Sequence, residues 1–276
     1  MAVELGTFGA WTRAQGWDAE GDAGAELEEL GYGALWLGGS PGGDLEVVSA
    51  TLRGTSRLTV ATGIVNVWDD SAGQISEVYR RIDDEHPGRF LLGIGAGHRE
   101  AVGDEYVKPY DKLVGYLDEL DVPTDRRVLA ALGPRVLKLA ADRTAGAHPY
   151  LVTPEHTATA REVLGAGPLL APEQHVVLDA DPAAARALAR KSVEFYFGLS
   201  NYTNNWLRLG FTADDLENGG SDRLIDALVA WGTVEQVAAR LRAHLDAGAD
   251  HVCVQVVTAD GGHDRKAFRQ LAEVLF

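Results

Sequence analysis

One stretch of this chain, residues 58–98, constrains the fold more than any other. It contains an apolar strand, a polar turn, an amphipathic helix, a Pro-Gly turn and a second apolar strand that closes on glycines. This order is one βαβ unit, whose two strands run parallel. In folds built from such units, ligands bind at the carboxyl ends of the strands. The stretch therefore predicts a parallel sheet and the edge of that sheet where a binding site belongs.

The same alternation of short apolar strands and amphipathic helices runs along the whole chain. Several helices end in Ala-Gly or Leu-Gly directly before a strand, as the loop from a helix to a strand requires. Eight strands are predicted, at residues 3–8, 34–37, 58–65, 90–94, 128–131, 147–152, 175–178 and 251–257. Eight strands alternating with helices favour an α/β fold of the (β/α)8 TIM-barrel type, with a doubly wound open sheet as the competitor.

No repeat, low-complexity tract or linker divides the sequence, so a single domain over residues 1–276 is predicted. Residues 182–231 read as a helical insertion between the seventh and eighth strands. This insertion contains the aromatic-rich stretch at residues 195–206.

Composition excludes several classes of partner. The chain has 41 Asp and Glu against 25 Lys and Arg, a net charge of −16. A field of this sign repels nucleic acid and anionic membrane surfaces, so neither is expected as a partner. No apolar run of about 18 residues predicts a membrane span.

Because the net charge is strongly negative, any phosphate group on a ligand must be held by local features such as helix N-termini, glycine turns or single arginines.

The remaining composition points to a cytoplasmic protein without a metal. The one cysteine, Cys253, lies in an apolar run, and the N-terminus has no signal-peptide pattern. No His-Glu-x-x-His, Cys-x-x-Cys or carboxylate-rich loop predicts a metal site.

Glycines lie near the carboxyl ends of two neighbouring predicted strands, at the edge of the sheet where a binding site is expected. The fourth strand ends with Gly93, Gly95 and Gly97, but His98 stands where a dinucleotide fingerprint needs a glycine, and the motif does not follow the first strand. A dinucleotide-binding fold is therefore disfavoured. Gly63 interrupts the third strand, as expected for a bulge or for close approach of a ligand to the backbone. In a barrel, both glycine-rich ends face one cavity.

The pairing of TGIVNVW with HPGRFLLGIGAGH resembles the luciferase-like monooxygenase superfamily, and within it the actinobacterial branch that uses the deazaflavin coenzyme F420. The likeness extends through ELGTFGAW, ELGYGALWLGG and RRVLAALGPRVLKLAADRTAGAHPYLVTPEHT. The resemblance implies a (β/α)8 barrel with a helical insertion, a homodimer by family analogy, and an oxidoreductase that transfers a hydride between F420 and a small organic substrate. The alternatives are an FMN-dependent monooxygenase, a flavin-binding protein without turnover, and an unrelated barrel enzyme that binds a sugar phosphate.

The resemblance also implies where the coenzyme lies. The bond between Gly63 and Ile64 matches a non-proline cis peptide that props the ring. The turn at residues 131–134, which opens a helix, matches a phosphate-binding turn whose free N–H groups face an anion. The predicted coenzyme-binding residues are Thr62, Gly63, Ile64, Asn66, Gly95, Ala96, Gly97, Ala131, Leu132, Gly133, Pro134, Ala147, His148 and Tyr150.

Two side chains are candidates for the chemistry itself. His98 could protonate a substrate while the deazaflavin delivers a hydride, or it could be a rim histidine bonded to the backbone. Trp68 is predicted to contact the substrate, with a core-edge aromatic as the alternative. Residues 37–40 lack the acid–histidine pair that some members of the family carry after the second strand. No obvious cluster of basic residues predicts a sugar-phosphate pocket.

Overall fold

The computed structural model describes residues 3–276, so Met1 and Ala2 of the predicted domain lie outside the described residues. The strands in this range are β1 Phe8–Arg13, β2 Ala34–Gly38, β3 Thr59–Gly63, β4 Val65–Asn66, β5 Phe90–Gly95, β6 Arg127–Leu129, β7 Gly146–Ala147, β8 Leu169–Leu170, β9 Glu173–Val177, β10 Val229–Trp231 and β11 Val252–Val256.

Helices connect these strands. The α-helices are α1 Ala23–Glu29, α2 Glu46–Arg53, α3 Ala72–Glu85, α4 Arg99–Val102, α5 Pro109–Glu119, α6 Pro134–Arg143, α7 Pro154–Leu164, α8 Pro182–Val193, α9 Ser200–Arg208, α10 Ala213–Leu216, α11 Asp222–Leu228, α12 Val234–Asp246 and α13 Arg265–Leu275. Short 3₁₀ turns lie at Gly103–Glu105, Thr124–Arg126, Glu194–Gly198 and Glu217–Gly219. None of the helices over residues 3–276 combines the length and the hydropathy that a membrane crossing requires.

The strands form one curled sheet with the order β10-β9-β11-β1-β2-β3-β5-β6-β7-β8, and β4 pairs with β5. The pairings are parallel, for example β1 with β2 and β5 with β6. The extended segment at residues 169–177 pairs with β7 at its start and with β11 at its end. The predicted α/β class with a parallel sheet is confirmed, and the curled sheet is consistent with a TIM-barrel-like fold.

The observed strands differ from the predicted ones at several places. The strand predicted at residues 58–65 is divided at Ile64 into β3 and β4, and β8 was not predicted. The first strand begins at Phe8 and not at residue 3, because Gly6 has a φ of +65°, outside the extended region. The strand predicted at residues 147–152 is only Gly146–Ala147, and it stops before Pro149, which has no N–H to give to a neighbouring strand. Residues 182–231 contain α8 to α11 but also β10, which pairs with β9.

The core lies on both faces of the sheet. Every residue of β2 and of β5 is buried, which explains why these strands are continuously apolar and do not alternate. The Ser71 side chain caps the N-terminus of helix α3 by accepting a hydrogen bond from the Gln74 N–H. The helix then buries Ile75 and Ile82, and burial of an apolar side chain of this size contributes roughly 1.5–3 kcal/mol. This packing holds the carboxyl ends of β3 and β5 side by side.

Candidate functional site

A cavity of about 860 Å³ opens at the carboxyl ends of the strands. Its wall contains the ends of β1, β2, β3, β5 and β6, the loop after β7, residues 106–113, the first turn of α6 and residues 195–208. This is the position at which parallel α/β folds bind ligands. Twelve of the sixteen predicted site residues line the cavity, namely Gly63, Ile64, Asn66, Gly95, Ala96, Gly97, His98, Ala131, Leu132, Gly133, His148 and Tyr150.

Three of the other four predicted residues support the wall from behind. The Thr62 hydroxyl donates to the Gly93 carbonyl (2.9 Å) and accepts from the Gly93 N–H (2.8 Å), which ties β3 to β5. Ala147 is fully buried in β7. Pro134 is the first residue of α6, where its missing N–H costs no hydrogen bond.

The fourth, Trp68, also lies behind the wall. Its indole N–H donates to the carbonyl of Ala96 (2.8 Å), and its ring packs against Tyr106 with 5.6 Å between ring centroids. Tyr106 itself lines the cavity. Trp68 therefore positions the strand end after β5 and an aromatic wall residue, and no part of it is in the wall.

The floor of the cavity is formed by the end of β3, where the Gly63–Ile64 peptide bond is cis. A Cβ placed on Gly63 would lie 2.9 Å from Trp11 Nε1 and 3.3 Å from His148 Nε2. Both nitrogens are buried, and neither has a hydrogen-bond partner among the described residues. Because buried polar groups are nearly always paired, these two atoms are available to hydrogen-bond a polar group that enters the cavity.

The tautomer of His148 follows from its second nitrogen. Nδ1 lies 2.7 Å from the carbonyl oxygen of Ala171 and therefore donates to it. Burial lowers the pKa of His148 to about 4, so the ring is neutral near pH 7 and Nε2 carries a lone pair. Trp11 Nε1 can only donate. The floor thus presents one unpaired acceptor and one unpaired donor.

The wall after β5 is kept flat by glycine. Gly97 has a φ of +61°, and a Cβ there would lie 3.1 Å from Asn66 Oδ1. A Cβ on Gly95 would lie 2.9 Å from the Ile64 side chain. Both strand ends can therefore approach a planar ligand through their backbones.

His98 follows these glycines, half-buried at the rim. Its ring lies 5.6 Å from the ring of Tyr202, and its Nδ1 is buried without a hydrogen-bond partner among the described residues. Burial lowers the pKa of His98 below its ordinary value, an effect that Asn201 and Glu100 partly oppose. The imidazole is therefore neutral near pH 7, and it lines the cavity beside Asn201.

The opposite end of the cavity is built to hold an anion. Gly133 precedes helix α6, and no side chain caps the helix N-terminus. Pro134 has no N–H and the Val136 N–H donates to the Gly133 carbonyl, so the Arg135 N–H at the positive end of the helix is the one that can meet an anion. Arg208 Nη2 lies 3.9 Å from the position of a Cβ on Gly133. Arg135 lies in the first turn of α6 with its guanidinium 3.6 Å from the centre of the Tyr110 ring. A phosphate at this end would meet this backbone N–H group and two guanidinium groups.

Charge is segregated around the cavity. The wall contains Arg13, Arg135 and Arg208 and no Asp or Glu among the described residues, in a chain of net charge −16. None of these arginines forms an ion pair within residues 3–276. The three arginines come from separate parts of the chain, so the sequence shows no basic cluster: Arg135 and Arg208 lie near Gly133, whereas Arg13 ends β1.

Sequence analysis missed wall residues at the ends of β1 and β2, at residues 106–113 and, most of all, at residues 195–208. Asn201, Asn204 and Arg208 of α9 line the cavity at a spacing of three and four residues, which is one face of a helix. Tyr202 and Trp206 are buried. The signal available in the sequence was this polar stripe within an aromatic-rich helix.

Comparison with known proteins gives one family match, over part of the chain. Residues 3–121 match the family model described as luciferase-like monooxygenase. This match confirms the resemblance to the luciferase-like monooxygenase superfamily. No curated protein matches the sequence.

Solved structures share the fold over almost the full chain. An F420-dependent secondary alcohol dehydrogenase in complex with an F420-acetone adduct is 14% identical with a TM-score of 0.72, over 99% of this chain and 98% of that one. The coenzyme F420 dependent tetrahydromethanopterin reductase from Methanopyrus kandleri is 17% identical with a TM-score of 0.68, over 99% and 98%. An FMN complex of the oxygenating constituent of 3,6-diketocamphane monooxygenase from Pseudomonas putida is 12% identical with a TM-score of 0.67, over 97% and 96%. Likeness at these identities establishes the shared fold.

Proposed function

We propose, from the match to the luciferase-like monooxygenase family, that this chain is an oxidoreductase that binds a flavin-type coenzyme in the cavity described above. The coenzyme we favour is F420, with hydride transfer to or from a small organic substrate, and FMN is the alternative. The observation that carries the proposal is the unpaired donor and acceptor, Trp11 Nε1 and His148 Nε2, that flank Gly63 on the cavity floor.

The residues present fit such a coenzyme. A tricyclic flavin-type ring carries both N–H and carbonyl groups on one edge, which suits one unpaired acceptor beside one unpaired donor. Gly63, Gly95 and Gly97 leave room for a flat ring to contact the backbone. When bound, the deazaflavin ring supplies a carbon that accepts or donates a hydride. The cavity of about 860 Å³ is large enough for the ring together with a substrate.

The tail of the coenzyme would lie toward α6. The open helix N-terminus at Gly133, with Arg135 and Arg208 beside it, would hold the phosphate. His156 supports this turn, since its Nε2 lies 2.9 Å from the carbonyl oxygen of Leu132. The positive end of α6 and the two guanidinium groups offset the repulsion that a chain of net charge −16 would exert on an anion.

His98 would transfer a proton to or from the substrate. A neutral imidazole near pH 7 carries one proton to give and one lone pair to receive, so His98 can protonate or deprotonate a substrate at the rim. Tyr202 packs beside its ring and limits its orientation. A rim histidine that only packs against Tyr202 is the alternative role.

F420 is favoured over FMN because of the sequence motifs, and the comparisons leave both coenzymes open. Two of the similar structures are described as F420-dependent and one is described as a complex with FMN. A binding protein without turnover would use the same cavity. We also propose a single domain that closes as a (β/α)8 barrel through residues 169–177, with residues 182–231 as its insertion, acting in the cytoplasm as a homodimer on a small-molecule substrate.

The test is a titration of the purified chain with coenzyme F420 and, separately, with FMN, followed by fluorescence and absorbance. We expect saturable binding of F420 and weaker binding of FMN. Tight FMN binding without a response to F420 would contradict the F420 assignment. Absence of binding to either would contradict a flavin-type site altogether. The His98→Ala variant, which changes the rim and leaves the floor intact, should still bind the coenzyme.

A further inference from the structure

The third cavity arginine, Arg13, lies far from the phosphate end. It ends β1, whereas the phosphate turn follows β6, and β2, β3 and β5 lie between them in the sheet. Neighbouring strands are about 4.8 Å apart, so these four steps span roughly 19 Å along the sheet. In the other direction β1 and β6 are also separated by three strand positions, β11, the 169–177 segment and β7. Arg13 and Gly133 therefore lie at or just beyond the ends of strands that are four steps apart in the sheet in either direction, at different parts of the cavity wall.

The surroundings of Arg13 are polar and aromatic. Gly39 and Ser40, which follow β2, line the cavity on one side of it, and the Tyr196 hydroxyl lies within hydrogen-bond reach of its guanidinium on the other. The Tyr196 hydroxyl donates to the Tyr150 hydroxyl (3.0 Å), which donates to Gln255 Oε1 (2.9 Å). Asp260 and Lys191 line a smaller adjoining pocket with Arg13, and no carboxylate of the described residues forms an ion pair with it.

We infer that the substrate of this site is a small organic anion, in the first instance a carboxylate, whose charged group binds Arg13 and whose apolar body packs against Tyr150 and Tyr196. The inference rests on the proposed function and names the substrate class of the same site. It is argued from the placement of charge: Arg13, an exposed side chain without an ion pair among the described residues, lines a cavity whose described wall has no carboxylate, on a strand other than the one that precedes the phosphate turn. Arginine binds carboxylates through paired N–H groups, which gives both affinity and orientation.

The chemistry of the wall also narrows the body of the substrate. Trp11 and Tyr150 are in ring contact, with centroids 5.1 Å apart, and Tyr150 lies 5.6 Å from Tyr196. These faces suit a flat or aromatic group between Arg13 and the coenzyme ring. An aromatic carboxylate such as benzoate combines both features and serves as the probe.

The experiment measures benzoate binding by calorimetry on the full chain loaded with F420, so that the coenzyme occupies the arginines near α6. Benzyl alcohol, which has the same ring without the charge, is the neutral control ligand. Arg13→Gln should weaken benzoate binding at least tenfold and leave benzyl alcohol unchanged. Arg99→Gln is the matched control variant, because Arg99 is an exposed arginine that follows β5 and lies outside the wall of this cavity.

Equal binding of benzoate and benzyl alcohol would overturn the inference, as would no benzoate binding or an Arg13→Gln variant with unchanged benzoate affinity. The same titration on the chain without coenzyme separates the two proposals. If F420 does not bind but benzoate still responds to Arg13→Gln, the proposed coenzyme is wrong and the anion site stands. If F420 binds and the benzoate affinity is unchanged in Arg13→Gln, only the proposed substrate class is wrong.

Discussion

Gly97 shows how a single residue shapes this cavity. Its φ of +61° is one that side-chain-bearing residues rarely adopt, and a Cβ there would press on the amide of Asn66 at 3.1 Å. The residue lies where the fourth predicted strand ends, next to His98. Its role is therefore double, since it turns the backbone and also leaves a flat surface for a ligand.

The two roles of Gly97 can be separated by substitution. Gly97→Ala should destabilise the fold by about 1 kcal/mol because of its backbone conformation, and it should also weaken F420 binding. Gly165→Ala is the matched control, since Gly165 has a φ of +74° and no atom within 4 Å of its missing Cβ. It should lose similar stability and keep coenzyme affinity. Urea unfolding and the F420 titration measure the two effects, and equal F420 affinity in both variants would contradict a ligand at Gly97.

At the scale of elements, the strands that could be predicted were those marked by the pattern of adjacent residues in the sequence. β2, β3 and β5 were placed within a residue or two, because fully buried parallel strands are continuous apolar runs bounded by turn residues. The start of β1 was misplaced because Val3 and Leu5 continue the apolar pattern across Gly6, whose positive φ interrupts the strand.

The cavity wall was predictable where it lies at the ends of strands β3, β5, β6 and β7. The glycines after β3 and β5 are visible in the sequence, and they do line the cavity. Arg13 is the last residue of β1 and Arg208 is the last residue of α9, so only tertiary packing brings them to one cavity. The contribution of α9 depends on which face of the helix turns inward, and its buried Tyr202 and Trp206 decide that.

At the scale of the whole molecule, buried neutral histidines couple stability to pH. His148 stacks on Trp36 with 4.1 Å between ring centroids, and His251 accepts the Trp36 indole N–H at 3.1 Å. Burial lowers the pKa of both histidines to about 4. In the unfolded chain they titrate near 6.5, so between these values the unfolded state binds protons that the folded state excludes.

Stability should therefore fall as the pH drops from 6.5 toward 4, by up to about 3 kcal/mol for each of these histidines. Urea unfolding at pH 7.5, 6.5 and 5.5 measures the effect above the range in which most carboxylates titrate. His148→Gln should be less stable than the wild type at pH 7.5 and should lose less between pH 6.5 and 5.5. A wild-type free energy of unfolding that stays constant from pH 6.5 to 5.5 would contradict the neutral burial of these rings.

The central proposal for the whole molecule is that the cavity holds a phosphorylated flavin-type coenzyme. Its phosphate would lie between α6 and α9, where Arg135 and Arg208 line the wall. The most direct measurement compares the dissociation constants of F420 and of its phosphate-free deazaflavin core, for the wild type and for Arg208→Gln. We expect the wild type to prefer F420 by roughly 10- to 100-fold, the range of a charge-assisted hydrogen bond, and Arg208→Gln to lose most of that preference. Arg99→Gln should keep it. Equal wild-type affinity for the two ligands, or an unchanged preference in Arg208→Gln, would contradict the account.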